Sequence, residues 1–220
     1  MLKLFLLFIC FNFPLIISCS QGENGNFLAA TTPQKTQKKE LIVIDPGHGG
    51  FDIGATVQSV EEKALALQTA TLVKQYLHDK GYRVILTRSR DVFVSLKKRT
   101  SIANDTKSKL FVSIHFNAFK GTDVKGIEIY YYNKGDKGRQ TASKKLAQLV
   151  LNGLIAATGT PSRGVKTGNF HVIRETNMPA ILIEGGFITN PQERTHLKDK
   201  KYVEKMAQSI ADAIEKYFCS

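Results

Sequence analysis

One stretch constrains the fold more than any other: Leu41–Gly50, LIVIDPGHGG. Its first four residues are apolar and β-favouring, and Asp45-Pro46-Gly47 closes the run, the pattern of a short buried strand. Pro46 cannot donate to a sheet ladder, so the strand stops there. Gly47, Gly49 and Gly50 let the chain turn tightly about His48, which is left at the mouth of a strand. Open α/β sheets place their ligands in that position. A single histidine there is more often a satisfied surface or core residue than a ligand, but its company further along the chain bears on the choice.

Beyond an irregular stretch over 51–60, Glu61-Glu62-Lys63 opens a helix reaching about Lys80, with Leu65, Leu72, Val73, Tyr76 and Leu77 as its stripe and Gly81 as its stop. Tyr82–Thr87 reads as a second strand and Ser95 as the N-cap of a helix over 96–105. Leu110–His115, LFVSIH, reads as a third strand, again with a histidine at its C-terminal end. Gly126–Tyr132 is a fourth, and 138–158 a long amphipathic helix. Residues 156–169 carry no pattern of their own. Phe170–Arg174 and Ala180–Ile183 read as short strands divided by a turn at Asn177-Met178-Pro179, and a helix over 201–218 closes the chain. Strands alternating with helices predict an α/β fold. In a parallel sheet the two strand-end histidines would share one rim.

The 220 residues, 42% of them apolar, suit one domain with a sizeable core. A net charge of +12 favours anionic partners. The basic residues are dispersed and follow no helix-turn-helix, zinc-finger or RNA-recognition pattern, so no nucleic-acid partner is expected. Residues 1–18 have the character of a signal peptide: Lys3, then the apolar run Leu4–Ile17, short of the ~20 residues a spanning helix needs. The tetrad Ile16-Ile17-Ser18-Cys19 resembles a bacterial lipobox, which would make an acylated Cys19 the mature N-terminus. Ser20 in place of Asp then points to the outer membrane, facing the periplasm. An ordinary secretory signal is the alternative, with Cys19 available to pair with Cys219. Residues 19–40 are polar and linker-like, and the catalytic domain is expected over 41–218.

His48, Glu62 and His115 are nitrogen and oxygen ligands of the kind Zn2+ takes. Three protein ligands with one open position is the catalytic zinc arrangement. Neighbouring helix positions point about 100° apart, so only one of Glu61 and Glu62 can turn toward His48. Glu184 ends the apolar run PAILIE, where a carboxylate is costly unless it has a partner or a task. Burial there would raise its pKa toward that of a useful general base. No Cys-x-x-Cys or His-Glu-x-x-His occurs.

These residues sit in segments that resemble the zinc-dependent N-acetylmuramoyl-L-alanine amidases: IDPGHGGFDIGA (44–55), EEKALAL (61–67), VILTRSRD (84–91), KKRTSIAN (97–104), SIHFNA (113–118) and PAILIEGGFITN (179–190). The resemblance implies a twisted mixed, largely parallel sheet flanked by helices on both faces. It implies zinc on His48, Glu62 and His115, choosing Glu62 because it directly precedes Lys63, and catalysis by Glu184. The implied substrate is peptidoglycan, cut between N-acetylmuramic acid and L-alanine. Asn117 becomes a candidate for hydrogen-bonding the peptide, or else a turn residue. Ala64 stands where the family has an acidic residue and Phe116 where it has a small one, and Phe116 is expected to reshape the cleft. Arg88 and Arg99 belong to the family motif and are expected to be structural ion-pair partners.

Two other functions compete. A non-catalytic wall-binding protein would be expected to have lost a ligand or the base. A serine acyl-transfer enzyme of the penicillin-binding kind would use Ser95-x-x-Lys98, Tyr131-x-Asn133 and Lys166-Thr167-Gly168, which occur in that order. Ser95 as a helix cap explains itself without such chemistry. Finally, relatives that need an activator carry an inserted plugging helix between the strands of His115 and Glu184. Residues 116–183 are filled without one, so a monomer with an open cleft and no obligatory activator is expected.

Overall fold

The structure, a computed structural model, describes residues 39–220. The expected signal segment, Cys19 and nearly all of the expected 19–40 linker lie outside the described residues. The strands are β1 (Leu41–Pro46), β2 (Thr56–Val57), β3 (Val60–Glu61), β4 (Arg83–Leu86), β5 (Leu110–Asn117), β6 (Ile127–Tyr131), β7 (Ser162–Thr167) and β8 (Ala180–Phe187). The helices are α1 (Glu62–Asp79), α2 (Leu96–Asp105), α3 (Lys137–Thr158), α4 (His171–Arg174), α5 (Pro191–Lys198) and α6 (Lys200–Phe218). Six strands form one sheet in the order β4-β1-β5-β8-β6-β7, and β2 and β3 form a separate hairpin. All neighbours in the large sheet are parallel except β6 and β8. This is the mixed, mostly parallel α/β architecture that the sequence implies.

Period-two alternation sorts the central strands onto two faces. Ile42 and Ile44 of β1, Leu110, Val112, Ile114 and Phe116 of β5, and Ile181 and Ile183 of β8 face the layer containing α1, α3 and α6. Val43, Phe111, Ala180 and Leu182 point the other way, into a smaller cluster with Val172 and Ile173 of α4 and Ala103 of α2. Each of the large aliphatic side chains stabilises the fold by about 1.5–3 kcal/mol. A one-residue slip of β5 would reverse every one of them, so its register, and with it the facing of His115, is strongly specified.

Four expectations need correction. Phe170–Arg174 is not a strand: the Ile173 and Arg174 amides both return to the Phe170 carbonyl, making the single turn of α4. A five-residue apolar stretch is too short for periodicity to separate the two states. Residues 162–167, expected to be irregular, form β7, an edge strand whose polar sequence SRGVKT lacks the apolar signature of an inner one. The stretch over 51–60 contains the β2–β3 hairpin, with Gln58 and Ser59 at φ 48° and 64° in its turn. Phe116, only 1% exposed, does not face the cleft. It packs in the larger core, and a Cβ on Gly185 would stand 2.9 Å from its ring. The sequence reading also omitted α5, although Asn190 caps it and Pro191 opens it.

Candidate active site

β1 and β5 pair in parallel with Pro46 beside Ile114. His48 follows two residues after Pro46 and His115 one after Ile114, so both imidazoles emerge on one rim, ring centroids 4.9 Å apart. His48 has φ 58°, a left-handed backbone that costs a non-glycine residue about 1–2 kcal/mol. Two arginines hold the loop in that shape. Arg88 donates from Nε to the Pro46 carbonyl and from Nη2 to those of Gly47 (2.6 Å) and Lys63 (2.8 Å). Arg99 donates from Nη1 to Pro46 O (2.6 Å) and from Nη2 to His48 O (2.6 Å). Arg99 also forms the expected ion pair, to the fully buried Asp45 at 2.8 Å. Asp45 accepts hydroxyl bonds from Thr87 and Ser113 as well. Arg88 makes no ion pair among the described residues. It serves backbone carbonyls, and burial together with the nearby Arg99 charge lowers its pKa.

Glu62 completes the cluster from the first turn of α1, where the helix dipole favours a carboxylate. Its Oε1 lies 3.0 Å from His48 Nε2 and 2.9 Å from His115 Nδ1, and accepts the Phe116 amide. Its Oε2 accepts the Ala55 amide. Glu61 instead faces Lys63, 3.7 Å away. Burial would raise the pKa of Glu62, but the bonds from His115 and His48 outweigh it and hold the carboxyl far below its usual range. Burial likewise pushes His48 down, while the bonds to Glu62 and Asp52 push it up, and the net shift is upward. Asp52, which the sequence reading missed, lies 2.8 Å from His48 Nδ1. A proton held on Nδ1 by that carboxylate would leave the Nε2 lone pair to an ion taking the place of the proton that Nε2 shares with Glu62. Its signal in the sequence was its spacing of four from His48 within a glycine-rich loop.

Three observations fit this cluster to a metal ion. One donor atom each from His48, Glu62 and His115 lies within 4.8 Å of the others, and among the described residues this is the one such group. The three donors, two imidazoles and a carboxylate, are those of catalytic zinc sites. The backbone is also pressed against them: a Cβ on Gly47 would stand 2.3 Å from His115 Cε1, and one on Gly54 2.6 Å from Glu62 Oε2. Gly54, at φ +70°, is held to glycine twice over.

Glu184 stands beside the cluster, paired in register with His115 on one side and Glu128 on the other. Register partners share a face, so the three side chains form a row across β5, β8 and β6 on the face covered only by the short helices α2 and α4. Glu184 Oε2 is buried without a hydrogen-bond partner among the described residues. Burial, then the charges of Glu62 and Glu128, raise its pKa well above the ordinary carboxylate range. Glu128, also missed from sequence, is by contrast saturated. Its Oε1 accepts from Asn117 Nδ2 (2.9 Å) and Tyr130 Oη (2.7 Å), and its Oε2 from Arg163 Nε (2.9 Å) and Lys166 Nζ (2.5 Å). Asn117 thus donates to Glu128 while its Oδ1 accepts the Ala118 amide.

The serine-enzyme residues are not assembled in this way. Ser95 Oγ accepts the Lys98 amide as the cap of α2, whereas Lys166 lies on the edge strand β7 paired to Glu128. His78, His171 and His196 stand outside the metal cluster.

The sequence profile of the N-acetylmuramoyl-L-alanine amidase family matches residues 42–216. The chain is 40% identical over 200 residues to the N-acetylmuramoyl-L-alanine amidase LytC of Bacillus subtilis (strain 168), covering 88% of this chain but 40% of that protein. Among solved structures, an N-acetylmuramoyl-L-alanine amidase from Clostridium difficile 630 superposes with TM-score 0.78 at 39% identity, covering 83% of this chain and 98% of that one. The CwlD amidase of Clostridioides difficile, solved in complex with the GerS lipoprotein, superposes with TM-score 0.77 at 30% identity over 82% and 99% of the two chains.

Proposed function

Because the chain belongs to the N-acetylmuramoyl-L-alanine amidase family, we propose that it is a zinc-dependent hydrolase. Its reaction would be cleavage of the peptidoglycan amide between N-acetylmuramic acid and L-alanine. One observation carries the reading: two imidazoles and a carboxylate converge within 4.8 Å beside Glu184, whose Oε2 is buried and unpartnered.

His48, Glu62 and His115 would hold the ion. Zinc bound there supplies Lewis-acid polarisation of the scissile carbonyl and makes hydroxide available near neutral pH. Glu184 is the general base. It takes a proton from the attacking water and returns it to the departing L-alanine nitrogen as general acid. Its desolvated surroundings support this, since an exposed carboxylate binds a proton too weakly for the second half of the task. Asp52 keeps His48 in the required tautomer. Arg88 and Arg99 keep the His48 backbone in its left-handed shape. Glu128 anchors the side of the site beyond Glu184. The leader and Cys19 support an exported protein anchored by lipid at the cell envelope.

The test is digestion of purified wall material with and without a chelator, read by mass spectrometry. Stem peptides bearing free L-alanine, released only with zinc, are expected. Chelator-resistant loss of terminal D-alanine would overturn the reading in favour of serine chemistry. His48→Ala, Glu62→Ala and His115→Ala should each lose zinc and activity. Glu184→Ala should keep zinc and lose activity, and a zinc-free Glu184→Ala protein would make Glu184 a ligand.

A further inference from the structure

The exposed apolar residues are unevenly distributed. Among the described residues six large hydrophobics are exposed, and four of them, Phe51, Ile53, Phe93 and Leu96, come from the two short segments that frame His48. Phe51 is 79% exposed, yet its ring stacks on that of Phe93 with centroids 4.2 Å apart and planes 25° from parallel. The arrangement is built in, because Gly50, at φ +63°, lets the loop touch Phe93: a Cβ there would meet the Phe93 amide at 2.6 Å. The patch runs into the reaction site. Phe93 and Leu96 line a cavity of about 90 Å³ whose other walls include His48, Asp52 and His115. An apolar surface kept in water and continuous with a reactive centre marks a ligand groove.

The opposite end of the row is cationic. Arg163 and Lys166 share the single carboxylate of Glu128, leaving a net positive charge on β7, and both side chains are more than a third exposed. From β5 to β7 is three strand spacings, about 14 Å, which an extended peptide of about four residues spans. The two ends of the site therefore differ in chemistry, as do the two sides of the amide proposed to be cut. One side is a saccharide with apolar ring faces and N-acetyl methyls. The other is a peptide stem that carries carboxylates.

We propose that the Phe51–Phe93 stack is the platform for a saccharide ring of the glycan strand, so that the substrate lies across the sheet rim with its glycan over the β1–β4 end and its acidic stem toward Arg163 and Lys166. The assignment rests on the amidase reading and adds a direction to it. Sugar rings present C–H bonds to the face of an aromatic ring, and a paired stack offers a broad, rigid face at little entropic cost.

Peptide-free glycan strands test it separately from catalysis, because they contain no scissile amide. The full chain should bind them in calorimetric titrations, and Phe51→Ala and Phe93→Ala should each weaken binding by about fivefold. Phe51 is a surface residue, so its variant should melt with the wild type and keep its zinc. With intact wall as substrate, Phe51→Ala should raise KM and leave kcat nearly unchanged. Arg163→Ala should leave glycan binding unchanged. Glycan binding indifferent to both phenylalanines, or Phe51-dependent binding to anionic phospholipid vesicles in place of glycan, would overturn the proposal. A protein that binds glycan through Phe51 but releases no stem peptide with a free L-alanine amino terminus would leave the platform standing and sink the amidase reading.

Discussion

Arg99→Met offers a severe test of how the His48 loop is held. Asp45 is 0% and Arg99 3% exposed, and their 2.8 Å pair lies under the loop. Methionine fills much of the same volume but removes the charge and every donor. Asp45 would then be a buried carboxylate supported only by the Thr87 and Ser113 hydroxyls. Breaking one side of a buried pair costs about 3–5 kcal/mol. In a domain of this size each kcal/mol lowers Tm by about 2–4 °C, so a fall of roughly 6–20 °C is expected. The carbonyls of Pro46 and His48 lose Arg99 donors in the same step, and zinc affinity should fall with stability. Adding Asp45→Asn removes the stranded charge: its one carbonyl oxygen still accepts a hydroxyl, and its NH2 donates to the other hydroxyl oxygen. The double variant should therefore recover about 1–3 kcal/mol relative to Arg99→Met alone. Urea unfolding of the four proteins of the cycle, with zinc competition against a chelating dye, measures both effects. A loss below about 1 kcal/mol for Arg99→Met, the size of an exposed pair, would refute the reasoning.

Gly47→Ala should cost at least tenfold in zinc affinity, since the new methyl would stand 2.3 Å from His115 Cε1; unchanged metal content by atomic absorption would contradict this. Glu128 is pushed up by burial but held below the usual carboxylate range by Lys166, Arg163 and Tyr130. A depressed folded pKa means its stabilisation is present above the unfolded value of 4.5 and is lost as pH falls through the folded one. Glu128→Gln should therefore lose about 1–3 kcal/mol near neutral pH, with the gap to wild type narrowing in melts below pH ~4; a gap that widens there would be the wrong sign. Cys19→Ala should leave the protein exported but out of the detergent phase, and wild-type protein that never enters that phase would sink the lipid anchor. The zinc-loaded chain should cleave wall material without an added activator, and folded protein that stays inert until a partner is supplied would disprove it.

The sequence by itself marked His48, His115 and Glu184 as candidates at strand ends and predicted one rim for the two histidines. Apolar runs capped by His48, His115 and Glu184 are local signals, because a buried strand must be apolar and must end in residues able to turn or meet solvent. Its family resemblance then separated Glu62 from Glu61. The tertiary structure alone decided whatever depends on a neighbour distant in sequence. β7 is written in polar residues because it lies at an edge, where one side needs no apolar partner. α4 is a helical turn because Val172 and Ile173 reach the small core from there, a preference that its four residues do not encode. Phe116 looked like a cleft residue until strand parity turned it into the core. Glu128 is 56 positions from its register partner Glu184, and only antiparallel pairing of β6 with β8 puts it in the row with Glu184 and His115. Periodicity reports which face a side chain takes within its own element. Which strands lie side by side, and so which carboxylates meet, is set by packing across the whole sheet.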